Sequence, residues 1–231
     1  SLGDHFGVGH IFLAGEAPGL FYGYVTQGIV QKEDITENGI KYIKQDGSVG
    51  YYQTVNKTTP VAGDVKYVDI NGDGVVDDND RDIIGNPNPD FTYGFQTKVS
   101  WKSLSLSASF NGVQGRDILN VGNRYNNTPG TKSNNVTRKA FQNMWTDENP
   151  SNLYPKSTFV VQNMVMDRYV EDGSYLRCSD ITLSYVLPAK WTNKIGIKNT
   201  SVYASVKNAF VITDYSGYDP EAVSYTHLRA H

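Results

Sequence analysis

The densest set of oxygen donors in the chain lies between Gly63 and Phe95. Asp69, Asn71, Asp73, Val75, Asp77 and Asp80 stand at positions 1, 3, 5, 7, 9 and 12 of a D-x-N-x-D-G-x-x-x-x-x-D loop. Gly74 falls at the sixth position, where such a loop must turn sharply. Hard Ca2+ takes about six to eight oxygens, and this spacing directs the side-chain oxygens and the Val75 carbonyl toward one centre. Asp80 replaces the longer, bidentate Glu that closes a helix–loop–helix calcium hand. No helix is expected before Asp69 either, because Asp64-Val65-Lys66-Tyr67-Val68 alternates as a strand does. Two readings stand side by side. The loop holds Ca2+ in a structural role, or it is an Asp/Asn/Gly turn closed by side-chain hydrogen bonds to its own backbone.

Little else in the chain offers chemistry. A single cysteine, Cys178, excludes a disulfide framework and argues against a zinc site. Four histidines occur, and His5 and His10 lie five apart, sharing neither a helix face nor a strand face. Asp147 and Glu148 are adjacent, so on a strand their carboxylates point to opposite faces and cannot act as an acid–base pair. No enzyme is expected, and no catalytic residue. The formal net charge of −3 argues against a nucleic-acid surface. No run of 18 apolar residues is present for a transmembrane helix.

The elements around the loop are strands. Phe91 to Trp101 places Phe91, Tyr93, Phe95, Val99 and Trp101 on one face, with Gly94, Gln96, Lys98 and Ser100 on the other. After a tight turn the alternation resumes, with Leu104, Leu106, Ala108 and Phe110 against Ser103, Ser105, Ser107 and Ser109. A third strand is expected over Cys178–Leu187 and a fourth over Thr200–Phe210. Strands of about ten residues with aromatic ends and small polar residues behind them fit a barrel wall between lipid and a wet lumen. Tyr outnumbers Phe by 16 to 9, as suits a membrane-interface girdle.

Connections alternate in length. Asn111–Asp172 is a long polar excursion with one expected helix, Val136–Trp145, whereas Ala189–Ile197 is a compact turn. Residues 15–62 read as a loop-rich insertion with brief β-pieces, and Gly39, Gly47 and Gly50 are expected to set turns. Lys98, Lys207 and Arg177 are expected to face the lumen or its rim, in solvent. The last nine residues, Val223–His231, match the translation of a transposon-type sequencing adaptor. They are expected to be non-native, leaving 1–222 as the natural part.

Several stretches carry a family resemblance. AGEAPGLFYGYVTQGI, GDVKYVDINGDGVVDDNDRDIIGNPNPDFTYGF, RYVEDGSYLRCSDITLSYVLP and VKNAFVITDYSGYDPE resemble, in order, the C-terminal part of SusC/RagA-type TonB-dependent outer-membrane receptors of Bacteroidota. The resemblance implies an all-β fold: the C-terminal antiparallel strands of a transmembrane barrel of about 22 strands, with long extracellular loops. It also implies a fragment that lacks the plug and the final strand. Implied partners are a SusD-like surface lipoprotein, the TonB complex through a missing N-terminal part, membrane lipid, and an oligosaccharide or peptide substrate. The competing reading is a soluble, calcium-stabilised β module that binds carbohydrate through Tyr22, Tyr24 and Trp145.

Overall fold

The computed structural model describes residues 9–128, 135–157, 164–193 and 200–221. His5 and the adaptor-like segment 223–231 lie outside them. The described residues begin with ten short strands: β1 (His10–Ile11), β2 (Leu20–Tyr24), β3 (Thr26–Ile29), β4 (Ile35–Thr36), β5 (Gly39–Ile43), β6 (Val49–Tyr52), β7 (Thr54–Val55), β8 (Val65–Tyr67), β9 (Val75–Val76) and β10 (Arg81–Gly85). Two long strands follow, β11 (Phe91–Trp101) and β12 (Leu104–Gln114). Between them and the next long strand lie β13 (Asp117–Leu119), helices α1 (Val121–Asn127) and α2 (Arg138–Asn143), and β14 (Val170–Asp172). The chain closes with β15 (Tyr175–Val186), the single turn α3 (Ala189–Thr192) and β16 (Ser201–Thr213).

The four long strands form one antiparallel sheet in the order β11-β12-β15-β16. The register sets Phe95 against Phe110, Val99 against Leu106, Leu106 against Leu183 and Leu183 against Ala204. One face is therefore apolar but for Thr97 and, at the strand end, Gln114. The other is lined with hydroxyls: Ser105 pairs with Ser184, and Thr182 Oγ1 donates to Ser205 Oγ at 2.9 Å. The apolar face is bare, with Val99 62%, Trp101 68% and Val206 57% exposed. A face this apolar requires a non-aqueous or protein covering. Trp101 ends its strand with the Lys102 ammonium over its ring at 4.8 Å, and the two-residue turn is made by a positive φ of 53° at Lys102.

Two bulges at one level break the alternation, one on β15 and one on β16, where Cys178 pairs with Phe210 but Asp180 with Lys207. Ser109 pairs with Asp180 but Phe110 with Cys178, so Ser179 is the extra residue on β15. That shift turns Cys178 onto the apolar face, beneath Phe110 and Phe210, whose rings lie 6.4 Å apart. Cys178 is fully buried there as a small apolar filler.

The remaining segments fold into a cap at the end of the sheet where Phe91, Gln114, Tyr175 and Thr213 lie. The alternation of β5 and β6 buries Ile40, Tyr42 and Tyr52. These residues join Tyr24, Val55, Tyr67 and Val76 in one core. Met164, Met166 and Tyr169, from the excursion between β12 and β15, complete it. Tyr24 N donates to the Val165 carbonyl at 2.9 Å, and Ile29 N to Asn152 Oδ1 at 3.0 Å. Segments more than a hundred residues apart thus share one interior, and what reads as loose loop is a packed module. At its junction with the sheet, the Asn86 and Asp117 segments are doubly tied, Asn86 N to Asp117 Oδ2 and Asp117 N to the Asn86 carbonyl, each at 2.7 Å.

Several boundaries differ from those expected. The last two wall strands begin at Tyr175 and Ser201 rather than Cys178 and Thr200, and β16 runs on to Thr213. The expected Val136–Trp145 helix is only Arg138–Asn143, because Thr137 caps it and Met144 is extended. Gly39 and Gly47 do turn the chain, with φ of 116° and 82°. Gly50 instead lies within β6, where a Cβ would meet the Tyr42 ring at 2.3 Å. Its bareness makes room for a core tyrosine.

Candidate functional site

The acidic loop joins β8 to β10 on the cap. Asp69 is 2% exposed and Asp80 wholly buried, while Asn71 and Asp73 are exposed and Val75 and Asp77 half-buried. Asp69 accepts from Gly72 N at 2.7 Å and Gly74 N at 2.8 Å, one bond per carboxylate oxygen. Asp80 accepts from Ile70 N and Asn71 N through Oδ1 and from Asp77 N through Oδ2. Smaller Asx turns fill the interval: Asn71 Oδ1 takes Asp73 N, Asp73 Oδ1 takes Val75 N, and Asp77 Oδ1 takes Asn79 N. The loop is wound around the buried carboxylates of Asp69 and Asp80. The Asp69 carbonyl in turn accepts from Tyr42 OH at 2.7 Å.

Burial pushes the Asp69 carboxyl up from its ordinary value, and the neighbouring charges of Asp80 and Asp73 add to the rise. In chemical kind the donors suit a hard divalent cation, since all are oxygens, although Asp80 Oδ1 already spends both lone pairs on the Ile70 and Asn71 N–H groups. As placed, no three His, Cys, Asp or Glu side chains among the described residues converge as a metal-holding group.

A second polar constellation lies on the hydroxyl-lined face, where the sheet meets the cap. Arg177, on β15, is 8% exposed. Its Nη2 donates to Asp219 Oδ1 at 2.6 Å, and its Nε lies 2.8 Å from Glu221 Oε2. The Nε–H points off the line to that oxygen, so the second contact is an ion pair rather than a directed hydrogen bond. Asn111 Nδ2 donates to Glu221 Oε1 at 3.0 Å, Tyr175 OH donates to the same oxygen, and Arg116 donates to the Pro220 carbonyl. Arg177 was expected in solvent and is instead paired. Its partners lie some forty residues away, across a strand and two turns, so spacing gives no sign of them.

The aromatic surface proposed for carbohydrate binding is not assembled. Tyr24 is 2% and Trp145 8% exposed, the latter donating its indole N–H to Gln31 at 3.0 Å. Both are core residues. His10 Nδ1 donates to the Gly19 carbonyl and the ring packs on Phe21, and Asp147 pairs with Lys32 at the surface.

A long-stranded antiparallel sheet has one bare apolar face, one hydroxyl face and all its large connections gathered at one end, the pattern a barrel wall with a loop cap would show. The chain belongs to the SusC/RagA type of TonB-dependent receptors. It is 33% identical over 213 residues to TonB-dependent receptor P3 of Formosa agariphila, covering 92% of this chain and 19% of that protein. It is likewise 33% identical over 165 residues to TonB-dependent receptor SusC of Bacteroides thetaiotaomicron, covering 68% of this chain and 15% of the relative. A solved structure of the RagAB peptide transporter superposes over 89% of this chain and 20% of its own, with a TM-score of 0.61 and 25% identity. The 'open-open' RagAB peptide importer gives 0.59 and 26%. The chain thus spans about a fifth of its relatives' length. No family model matches it.

Proposed function

We propose that this chain forms wall and outer loops of an outer-membrane importer that draws glycan oligomers or peptides through a TonB-driven barrel beneath a SusD-like lipoprotein. One observation carries the reading: the four-stranded sheet is apolar on one side and hydroxyl-lined on the other, and its open edges at β11 and β16 are free to pair with further strands. Eleven residues at about 3.3 Å each, tilted by about 40°, span about 28 Å, enough to cross the apolar band of about 25 Å in such a barrel. Trp101 at one end of β11 and Phe91 and Tyr93 at the other stand where aromatic girdles meet the interfaces. The test is fractionation of cells expressing the full-length gene. Recovery with the outer membrane supports the reading, and recovery in the soluble periplasm defeats it.

The acidic loop takes Ca2+ as a structural brace in this reading. Asp69, Asn71, Asp73, the Val75 carbonyl, Asp77 and Asp80 would supply oxygens, and the ion would neutralise the buried acids. Support comes from the all-oxygen donor set and from the raised Asp69 carboxyl. Its role is to stiffen the cap.

A further inference from the structure

We propose that Arg177 is a carboxylate-binding site on the hydroxyl-lined face of the wall, and that segment Ser216–Glu221 is a releasable strap covering it. This rests on the importer reading, in which that face lines the lumen.

The strap is held at two places. On the cap, Glu171 of β14 accepts from Ser216 N at 2.8 Å and Ser216 Oγ at 2.9 Å, while Asn120 Nδ2 donates to both Glu171 and Ser216. On the wall, Arg177, Asn111, Tyr175 and Arg116 hold Asp219, Pro220 and Glu221. The two holds differ in kind. The wall side is a built donor set: a guanidinium nine-tenths buried, a second guanidinium over the same Tyr175 ring, an amide and a phenol. Such a set recognises a carboxylate by fork geometry and charge.

The strap side is weak. The Asp219 and Glu221 side chains are 40% and 39% exposed, and ion pairs to carboxylates so wetted are screened and contribute little. Two acids share one arginine, Asp219 at Nη2 and Glu221 at Nε, so a solute carboxylate at the loop end can replace one of them without leaving Arg177 unpaired. The chain's own acids stand in for the ligand. The ligand class is a solute carrying a free carboxylate, whether the C-terminus of a peptide or an acidic sugar.

Strap release is read by chymotrypsin cleavage after Tyr215 and the fully exposed Tyr218 in the purified full-length receptor. Asp219→Asn with Glu221→Gln frees the strap and leaves Arg177 intact, and its cleavage should be about tenfold faster. In the unaltered receptor, N-acetyl-trialanine and sodium galacturonate should each speed cleavage, while N-acetyl-trialanine amide should not. Acceleration by only one of the two carboxylates assigns the source and still supports the site. Equal cleavage of receptor and double variant, or no response to either carboxylate, overturns the proposal. If deleting the gene leaves solute uptake intact, the importer reading fails while the cleavage result stands on its own.

Discussion

Tyr42 donates its phenolic hydrogen to the Asp69 carbonyl across 2.7 Å, and this bond fastens the acidic loop to the core of the cap. Tyr42 is 1% exposed and Asp69 2%, so neither group has water as a substitute partner. The bond joins the β5–β6 hairpin to the loop before β9, two pieces with no shared strand pairing. The stiffness of the loop is therefore set by a residue 27 positions upstream.

Tyr42→Phe should destabilise the cap by about 1–3 kcal/mol, because it removes the donor to a buried carbonyl while leaving the ring's packing in place. Denaturant unfolding of the full-length receptor, followed by proteolysis of residues 36–80, measures it. A change within error would show that the carbonyl finds another partner.

Calcium should raise the thermal midpoint of the cap and a chelator should lower it again, by mass action on the folded loop. Asp80→Asn should abolish that response. The same substitution should also destabilise the metal-free protein, since Asp80 gathers three backbone N–H groups. Equal midpoints with calcium and with chelator would leave a purely hydrogen-bonded turn.

Alkaline pH should loosen the cap. Burial, with the charges of Asp69 and Asp80 adding, pushes the Tyr42 phenol up to about 12. A group raised in this way contributes stability that is complete below its unfolded value of about 10 and is lost as pH climbs through about 12. Tyrosinate absorbance should rise together with unfolding across that window. Asp69, also raised, behaves alike at the acid end: its contribution is present below the ordinary carboxylate value and fades as pH rises past it. Asp69→Asn should remove that component of the acid profile.

Gly39→Ala should cost about 1–3 kcal/mol, for its φ is 116° and an added Cβ would meet the Tyr52 carbonyl oxygen at 2.4 Å. Gly47→Ala, at φ 82° with nothing within 4 Å, should cost about 1 kcal/mol. Unfolding free energies of the two variants, compared directly, check the order.

The two faces of the wall should respond oppositely to charge. Ile181→Arg, midway along β15 on the apolar face, should cost about 2–4 kcal/mol in a bilayer, while Ser184→Arg on the hydroxyl face should cost less than about 1 kcal/mol. Folding of the full-length receptor into lipid vesicles, followed by heat-modifiable mobility, separates them. Equal costs would remove the lipid assignment.

The wall was legible in the sequence because strand alternation is local: a period of two needs only the side chains of one segment, and Phe91–Trp101 and Leu104–Phe110 declare their faces unaided. The acidic loop was legible for the same reason, since its oxygens and Gly74 lie within twelve residues. Tertiary structure alone decided the rest. It brought Met164, Met166 and Tyr169 to the tyrosines of residues 24–67, turned Tyr24 and Trp145 from candidate surface platforms into core, and set Arg177 against Asp219 and Glu221. Each of these depends on burial and charge pairing between segments far apart in the chain. Such contacts leave no periodicity for the sequence to show, and they exist only once the chain has closed on itself.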